Sequence, residues 1–273
     1  MKNINNTLTR IIVSLIAIPL IITVGYFGKF YFLTFIVLIS CVSFFEFSQL
    51  SSKKGIFLNL VMGEISIIAI ILNFYFNWLS PVILIIAIPI VLLFCELWRN
   101  KGSALQNISS SLLGVFYLGL FPATLIGIRE FYADYNNGGY LIISIFVCIW
   151  LCDSAAMFIG TLIGKHKIFP RVSPKKSWEG TIAGFIFGLG GMLICKIIIL
   201  DFLSWNNIII MGLIIGALGQ IGDLIESLLK RDANIKDSSN MIPGHGGLMD
   251  RFDSLIFASP LVFIYLSYSH LFN

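Results

Sequence analysis

Apolar runs long enough to cross a bilayer recur along nearly the whole chain, at 11–28, 31–50, 56–78, 79–98, 108–128, 140–164, 181–200, 207–229 and 252–272. A helix needs about 20 apolar residues to span the hydrocarbon, whereas a soluble helix needs only an apolar stripe. Runs that are apolar on every side therefore predict an all-α fold, a polytopic transmembrane helix bundle of about nine spans. Composition agrees, since 58% of the 273 residues are hydrophobic and 12% charged, against roughly 45–50% and about 25% in soluble domains. The third and fourth runs are nearly continuous, and a tight turn around Trp78 to Pro81 is the expected break. No internal repeat, low-complexity tract or separate soluble domain is visible. Residues 1–273 are read as a single integral membrane domain, with the catalytic part mainly in 150–255.

Charge placement predicts orientation. With the N-terminus in the cytoplasm, fifteen basic residues fall inside, from Lys2 and Arg10 through Lys53, Lys54, Arg99 and Lys101 to the loops at 165–180 and 230–251. Only Lys29, Arg129 and Lys196 fall outside or near the outer face, a strong positive-inside bias. The expectation is an integral protein of the cell inner membrane, its large loops cytoplasmic and its C-terminus outside. The first run follows Lys2 and Arg10 as a signal peptide would, but its length suits a span and no small-residue cleavage site is evident. A net charge of +4 is too small a surplus to argue for nucleic acid as a partner. Cys41, Cys95, Cys148, Cys152 and Cys195 lie inside apolar runs without zinc spacing and read as buried small hydrophobes. The pairs Gly160 and Gly164, Gly184 and Gly188, and Gly212 and Gly216 are spaced for close helix packing.

The residues that can carry chemistry cluster toward the C-terminal half. Asp223, Glu226, Ser227 and Lys230 fall at i, i+3, i+4 and i+7 and share one helical stripe at the inner end of the eighth span. Ionisable groups at membrane depth are expensive and face a cavity, the bundle interior or each other. The plain alternative is a Glu226 to Lys230 pair at a helix end. The loop that follows contains Lys230, Arg231, Lys236 and Asp237, then Pro243, Gly244, His245, Gly246, Gly247, Asp250 and Arg251. Its glycines let backbone N–H groups approach a ligand closely. Carboxylates and cations at this density suit a Mg²⁺-phosphate complex, because Mg²⁺ takes one or two carboxylates plus substrate phosphates. Asp223 and Asp250 are the candidate metal ligands, and Lys230, Arg231, Lys236 and Arg251 the candidate phosphate neutralisers. Alternatively, Asp250 is a helix N-cap, the cations only set topology, and His245 bonds backbone rather than a phosphate or leaving group. Ser173, Lys175, Lys176, Ser177 and Glu179 stand just before the seventh span, where free N–H groups and the helix dipole favour an anion. Asp153 is a further membrane carboxylate, and Glu46, Glu64 and Glu96 are explained by snorkelling or interhelical hydrogen bonds.

The run S-L-L-K-R-D-A-N-I-K-D-S-S-N-M-I-P-G-H-G-G-L-M-D-R-F-D at 227–253 resembles the signature of the phosphatidate cytidylyltransferases, also called CDP-diacylglycerol synthases. S-P-K-K-S-W-E-G at 173–180 is similar to the same family, as is D-S-A-A-M-F-I-G at 153–160, where Met157 stands in place of an aromatic residue. The resemblance covers roughly the last 120 residues, and the first five spans match only as apolar helices. It implies CTP and phosphatidate as substrates, CDP-diacylglycerol and pyrophosphate as products, and Mg²⁺ as cofactor. Under that implication Lys230, Arg231, Lys236, Asp237, His245 and Arg251 serve catalysis. Ser173, Lys175, Lys176, Ser177, Glu179, Ser227, Gly246 and Gly247 bind substrate, and Asp223 and Asp250 bind metal. Membrane lipid is a partner and a homodimer is compatible with the chain. A CTP-using lipid kinase shares the setting and differs in transferring the terminal phosphate. A transporter would use the same carboxylates for ion coupling, but the charges cluster at one face and no broken-helix pair appears in matching halves.

Overall fold

Backbone N–H and C=O groups in hydrocarbon have no water to bond, so an apolar run long enough to cross must satisfy them within itself, as a helix. The computed structural model describes residues 2–239, 241 and 246–270, and they contain helices and no strand. In chain order these are α1 (Lys2–Phe27), α2 (Lys29–Ser52), α3 (Leu60–Phe76), α4 (Pro81–Leu97), α5 (Ala104–Val115), α6 (Phe121–Arg129), α7 (Tyr135–Ile163), α8 (Trp178–Ile198), α9 (Trp205–Leu213), α10 (Gly219–Asp232) and α11 (Met249–His270). A π-helical turn at Phe116–Leu120 joins α5 to α6, and another at Ile214–Leu218 joins α9 to α10. The two joined pairs make rods at Ala104–Arg129 and Trp205–Asp232.

The helix ends follow local chemistry. Asn59 caps α3 by accepting from Met62 N at 3.2 Å, and Asn77, left-handed at φ 52°, ends it. Asn73 then fixes the turn from both sides, its Nδ2 donating to Leu79 O at 2.9 Å and its Oδ1 accepting from Leu79 N at 2.8 Å. Pro81 opens α4 at a first-turn position, where the missing N–H costs nothing. The expected break between the third and fourth runs is therefore a built turn. Asp134, Ser177 and Ser204 cap α7, α8 and α9 with their side-chain oxygens.

Among the described residues six helices are long and apolar enough to cross a membrane: Lys29–Ser52, Ala104–Arg129, Tyr135–Ile163, Trp178–Ile198, Trp205–Asp232 and Met249–Ser269. The chain is thus a polytopic, all-α membrane protein. Of the other expected spans, Leu60–Phe76 and Pro81–Leu97 are apolar helices of 17 residues, which at 1.5 Å per residue cover about 25 Å, less than the ~30 Å hydrocarbon. The first expected span belongs to the 26-residue α1, whose apolar part includes Ile12–Phe27.

The chain divides into two compact units, Met1–Gly127 with Asp232–Phe252, and Ile128–Arg231 with Asp253–Asn273. In the first unit α2, α3 and α5 meet around Phe44. The glycines facing it are sterically required, because a Cβ at Gly114 would stand 2.6 Å from the Phe44 ring and one at Gly63 closer still. Glu96 is buried, accepts from Asn107 Nδ2 at 2.7 Å and lies 3.5 Å from Arg99, the interhelical bonding expected of it. In the second unit α7 and α8 pack along small residues. A Cβ at Gly180 would lie 2.6 Å from Ala156 O, and one at Gly184 2.9 Å from Cys152 O. Cys148, Cys152 and Cys195 are buried there as free thiols, whereas Cys41 and Cys95 in the first unit are half-buried.

Candidate active site

The polar stripe expected on the eighth span is present on α10. Glu226 is fully buried, and its Oε1 lies 3.2 Å from Lys230 Nζ. Ser227 donates to Asp223 Oδ1 at 3.2 Å. Asp223 is the accessible member, with 37% of its side chain exposed, and Lys176 Nζ approaches its Oδ2 to 2.7 Å. The π turn before α10 prepares this approach. Gly216 O, within that turn, accepts from Gln220 Nε2 at 2.7 Å, and Gln220 O in turn accepts from Lys176 Nζ at 3.4 Å. Plain helical periodicity gives no sign of the π turn, although such turns recur at functional sites. Lys230 departs from its expected role: it is 8% exposed, and its charge is met by Glu226, the alternative the sequence left open.

The loop before α8 folds as a short hairpin. Ile168 N donates to Lys176 O at 3.3 Å and Trp178 N to His166 O at 2.9 Å, flanking an antiparallel bridge between Lys167 and Ser177. Glu179 closes its base, with Oε1 2.7 Å from His166 Nδ1 and accepting from His166 N at 3.2 Å. Ser177 is buried and accepts from Gly180 N at 3.2 Å as the cap of α8. Ser173 O accepts from Lys176 N at 3.2 Å in a turn. Thus Ser177 and Glu179, expected to meet substrate, have their side-chain oxygens engaged in folding the loop, while Lys175 remains exposed and Lys176 turns to Asp223. Arg231 Nε ties the end of α10 to the same hairpin by donating to Val172 O at 3.2 Å.

In the first unit the segment leading into α11 is organised by two carboxylates. Asp250 Oδ2 accepts from Gly247 N at 2.8 Å, Ser238 N at 3.0 Å and Ser238 Oγ at 2.9 Å. Its reach back to Gly247 resembles a capping box, in keeping with the N-terminal alternative for this residue. Gly246 has φ +82°, a left-handed conformation that favours glycine, and a Cβ there would stand 2.8 Å from Asp250 Oδ2. The second carboxylate is Glu46 of α2. Fully buried, it accepts from Leu248 N at 2.9 Å, Met249 N at 2.8 Å, Ser238 Oγ at 3.2 Å and the Ser239 hydroxyl. A Cβ at Gly247 would collide with Ser238 Oγ and stand 2.7 Å from each Glu46 oxygen, so Ser238 and Glu46 by themselves require a glycine here. Lys236, Asp237 and Arg251 are exposed. His245 lies outside the described residues.

Glu46, Ser238, Ser239 and His166 are the members that sequence reasoning missed. A glutamate in an apolar run was a signal in itself, but nothing local indicated its partners. Among the described residues no group of three or more His, Cys, Asp or Glu side chains is gathered to hold a metal ion.

Residues 8–269 match the model of the cytidylyltransferase family. The chain is 35% identical over 267 residues to a phosphatidate cytidylyltransferase of Staphylococcus haemolyticus, covering 95% of this chain and 97% of that one. A Staphylococcus aureus protein of the same name is 34% identical over 271 residues, with the same coverage. A Synechocystis protein, also named phosphatidate cytidylyltransferase, is 30% identical over 287 residues, covering 94% and 95%. The likeness therefore extends well beyond the C-terminal motifs.

Proposed function

Because the chain belongs to the cytidylyltransferase family, we infer that it transfers CMP from CTP to phosphatidate, giving CDP-diacylglycerol and pyrophosphate for phospholipid synthesis. The observation that carries this reading is the full-length match to relatives named for that reaction. A phosphate oxygen of phosphatidate attacks the α-phosphorus of CTP, and the bond to the β-phosphate breaks as pyrophosphate leaves. A phosphomonoester carries roughly −1.5 to −2 charge near pH 7, so the nucleophile needs no covalent enzyme intermediate. The protein's work is to bring two anions together and to stabilise the leaving group.

The donor set fits a hard, oxygen-seeking divalent cation. Asp223 is an accessible carboxylate already beside a cationic nitrogen, and Mg²⁺ draws most of its remaining ligands from water and phosphate. Asp223 in the second unit and Asp250 in the first are each proposed as a carboxylate ligand. When bound, Mg²⁺ supplies charge neutralisation on the nucleotide phosphates. The chain's own cations do the rest of the screening. In the second unit Lys175, Lys176 and Arg231 are the phosphate-facing cations, in the first Lys236 and Arg251 are, and His245 contacts phosphate or protonates the leaving group. Gly246 and Gly247 shape the backbone at the same loop. The loops and the N-terminus face the cytoplasm of a bacterial inner membrane, so CTP arrives from water and phosphatidate enters sideways from the bilayer.

Purified protein given CTP, phosphatidate and Mg²⁺ should release pyrophosphate and form a CMP-bearing lipid in equal amounts. Release of CDP with a newly phosphorylated lipid would replace this reading with the lipid-kinase one.

A further inference from the structure

We propose that Glu46 is a positioning residue for the cytidylyl-transfer site, holding the segment around Asp250 from a helix some two hundred residues earlier in the chain. The inference rests on the assignment of Asp250 and its loop to the site. Four donor groups lie within hydrogen-bond reach of this one buried carboxylate, the backbone N–H groups of Leu248 and Met249, the Ser239 hydroxyl and the Ser238 hydroxyl that it shares with Asp250. Both ends of the loop are thereby fastened to one acceptor. The Leu248 and Met249 N–H groups are the opening donors of α11, whose helix dipole also favours a negative charge there.

Glycines confer no stiffness on the loop, and Asp250 accepts from Ser238 and Gly247 through the bonds described above. Ser238 stands between the two carboxylates, 2.9 Å from Asp250 Oδ2 and 3.2 Å from Glu46 Oε2. A hydroxyl has a single proton and serves one acceptor at a time. When Asp250 turns toward a ligand, the Ser238 hydroxyl rotates to donate to Glu46 and the loop end stays fastened. A neutral glutamine cannot replace this acceptor, because each Glu46 oxygen faces one hydroxyl and one backbone N–H, so in either orientation the amide NH₂ would meet an N–H that cannot reverse.

The test uses the full-length protein in detergent, comparing wild type, Glu46→Gln, Ser239→Ala, the double variant and Asp250→Asn. Melting temperature, hydrogen exchange at residues 246–252, and kcat and KM for CTP are measured on each. Loss of hydrogen bonds to a charged acceptor predicts a fall in kcat/KM of about ten- to a hundred-fold for Glu46→Gln. Exchange should quicken at Gly247, Leu248 and Met249 more than in the rest of the chain, with the melting temperature lowered because a buried N–H donor loses its acceptor. Ser239→Ala should give a smaller loss that does not multiply with that of Glu46→Gln, since both act through one contact. Full activity in a folded Glu46→Gln, or a loss without faster exchange at 247–249, overturns the proposal. If Glu46→Gln does not fold, Ser239→Ala decides, and wild-type exchange and turnover in it overturn the proposal. An active Asp250→Asn removes the site assignment and this inference with it. An inactive Asp250→Asn beside a fully active Glu46→Gln removes the inference alone.

Discussion

Lys176 Nζ lies 2.7 Å from Asp223 Oδ2, so a cation from the hairpin before α8 neutralises the accessible carboxylate of the polar stripe. The two residues come from separate motifs, S-P-K-K-S-W-E-G and the stripe before the long signature, and their pairing is the point at which the second unit becomes more than a helix bundle. The pair is partly exposed, with 24% and 37% of the side chains accessible. It therefore contributes at most about 1 kcal/mol to stability. Under the proposed function its use lies in keeping a charged pair available to ligands.

Lys176→Met should consequently leave the melting temperature almost unchanged and lower kcat/KM for CTP by about a hundred-fold, the scale of losing one preorganised electrostatic contact. Steady-state kinetics beside a thermal melt in detergent checks both halves. Normal turnover in the variant would confine Lys176 to a surface ion pair.

Divalent-metal removal separates the carboxylates from the cations. Exhaustive chelation should abolish turnover and added Mg²⁺ should restore it. Asp223→Asn should raise the Mg²⁺ concentration needed for half-maximal activity far more than Lys176→Met does. Equal Mg²⁺ requirements in wild type and Asp223→Asn would take Asp223 out of the metal site.

Glu226 and Lys230 behave oppositely to the Lys176 and Asp223 pair because both are buried. Glu226→Gln alone should destabilise the protein by about 3–5 kcal/mol by stranding a buried charge, and the double change Glu226→Gln with Lys230→Met should recover much of that loss. Thermal melts of the three variants test the pairing. Recovery of activity along with stability would mark Lys230 as structural, whereas stability without activity would return it to the phosphate-facing set.

Gly247→Ala should be far more damaging than its size suggests. The added Cβ would overlap Ser238 Oγ and crowd both Glu46 oxygens. Overpacking of this kind costs about 1–3 kcal/mol, and because it falls on the loop we expect activity to drop at least tenfold before global stability is lost. Activity close to wild type would mean that the loop relaxes without cost.

His166→Ala, by contrast, should change kcat/KM by no more than about threefold. The imidazole is 79% exposed, and exposed pairs contribute about 0.2–1 kcal/mol. Glu179→Ala should be more harmful, since Glu179 also accepts the His166 backbone N–H that closes the hairpin. Equal effects of the two substitutions would show that the side-chain contact alone matters.

The amino-acid sequence determined where the helices are, because an apolar run in hydrocarbon has only one way to satisfy its backbone, and the breaks at Asn77, Gly28 and the Ser and Asp caps are local events. It also determined the polar stripe of α10, because four residues at i, i+3, i+4 and i+7 share a face whatever surrounds them. The family was legible for the same reason, as its motifs are contiguous. Tertiary structure alone decided who meets whom. Glu46 finds Met249 across 203 residues, and Lys176 finds Gln220 across 44. The π turn at 214–218 breaks a period that apolar residues fill equally well either way. Packing placed Lys230 beside Glu226 and made Ser177 the cap of α8, contacts that no local pattern displays. Distance and burial are properties of the folded chain, and at these positions they separate a binding residue from a structural one.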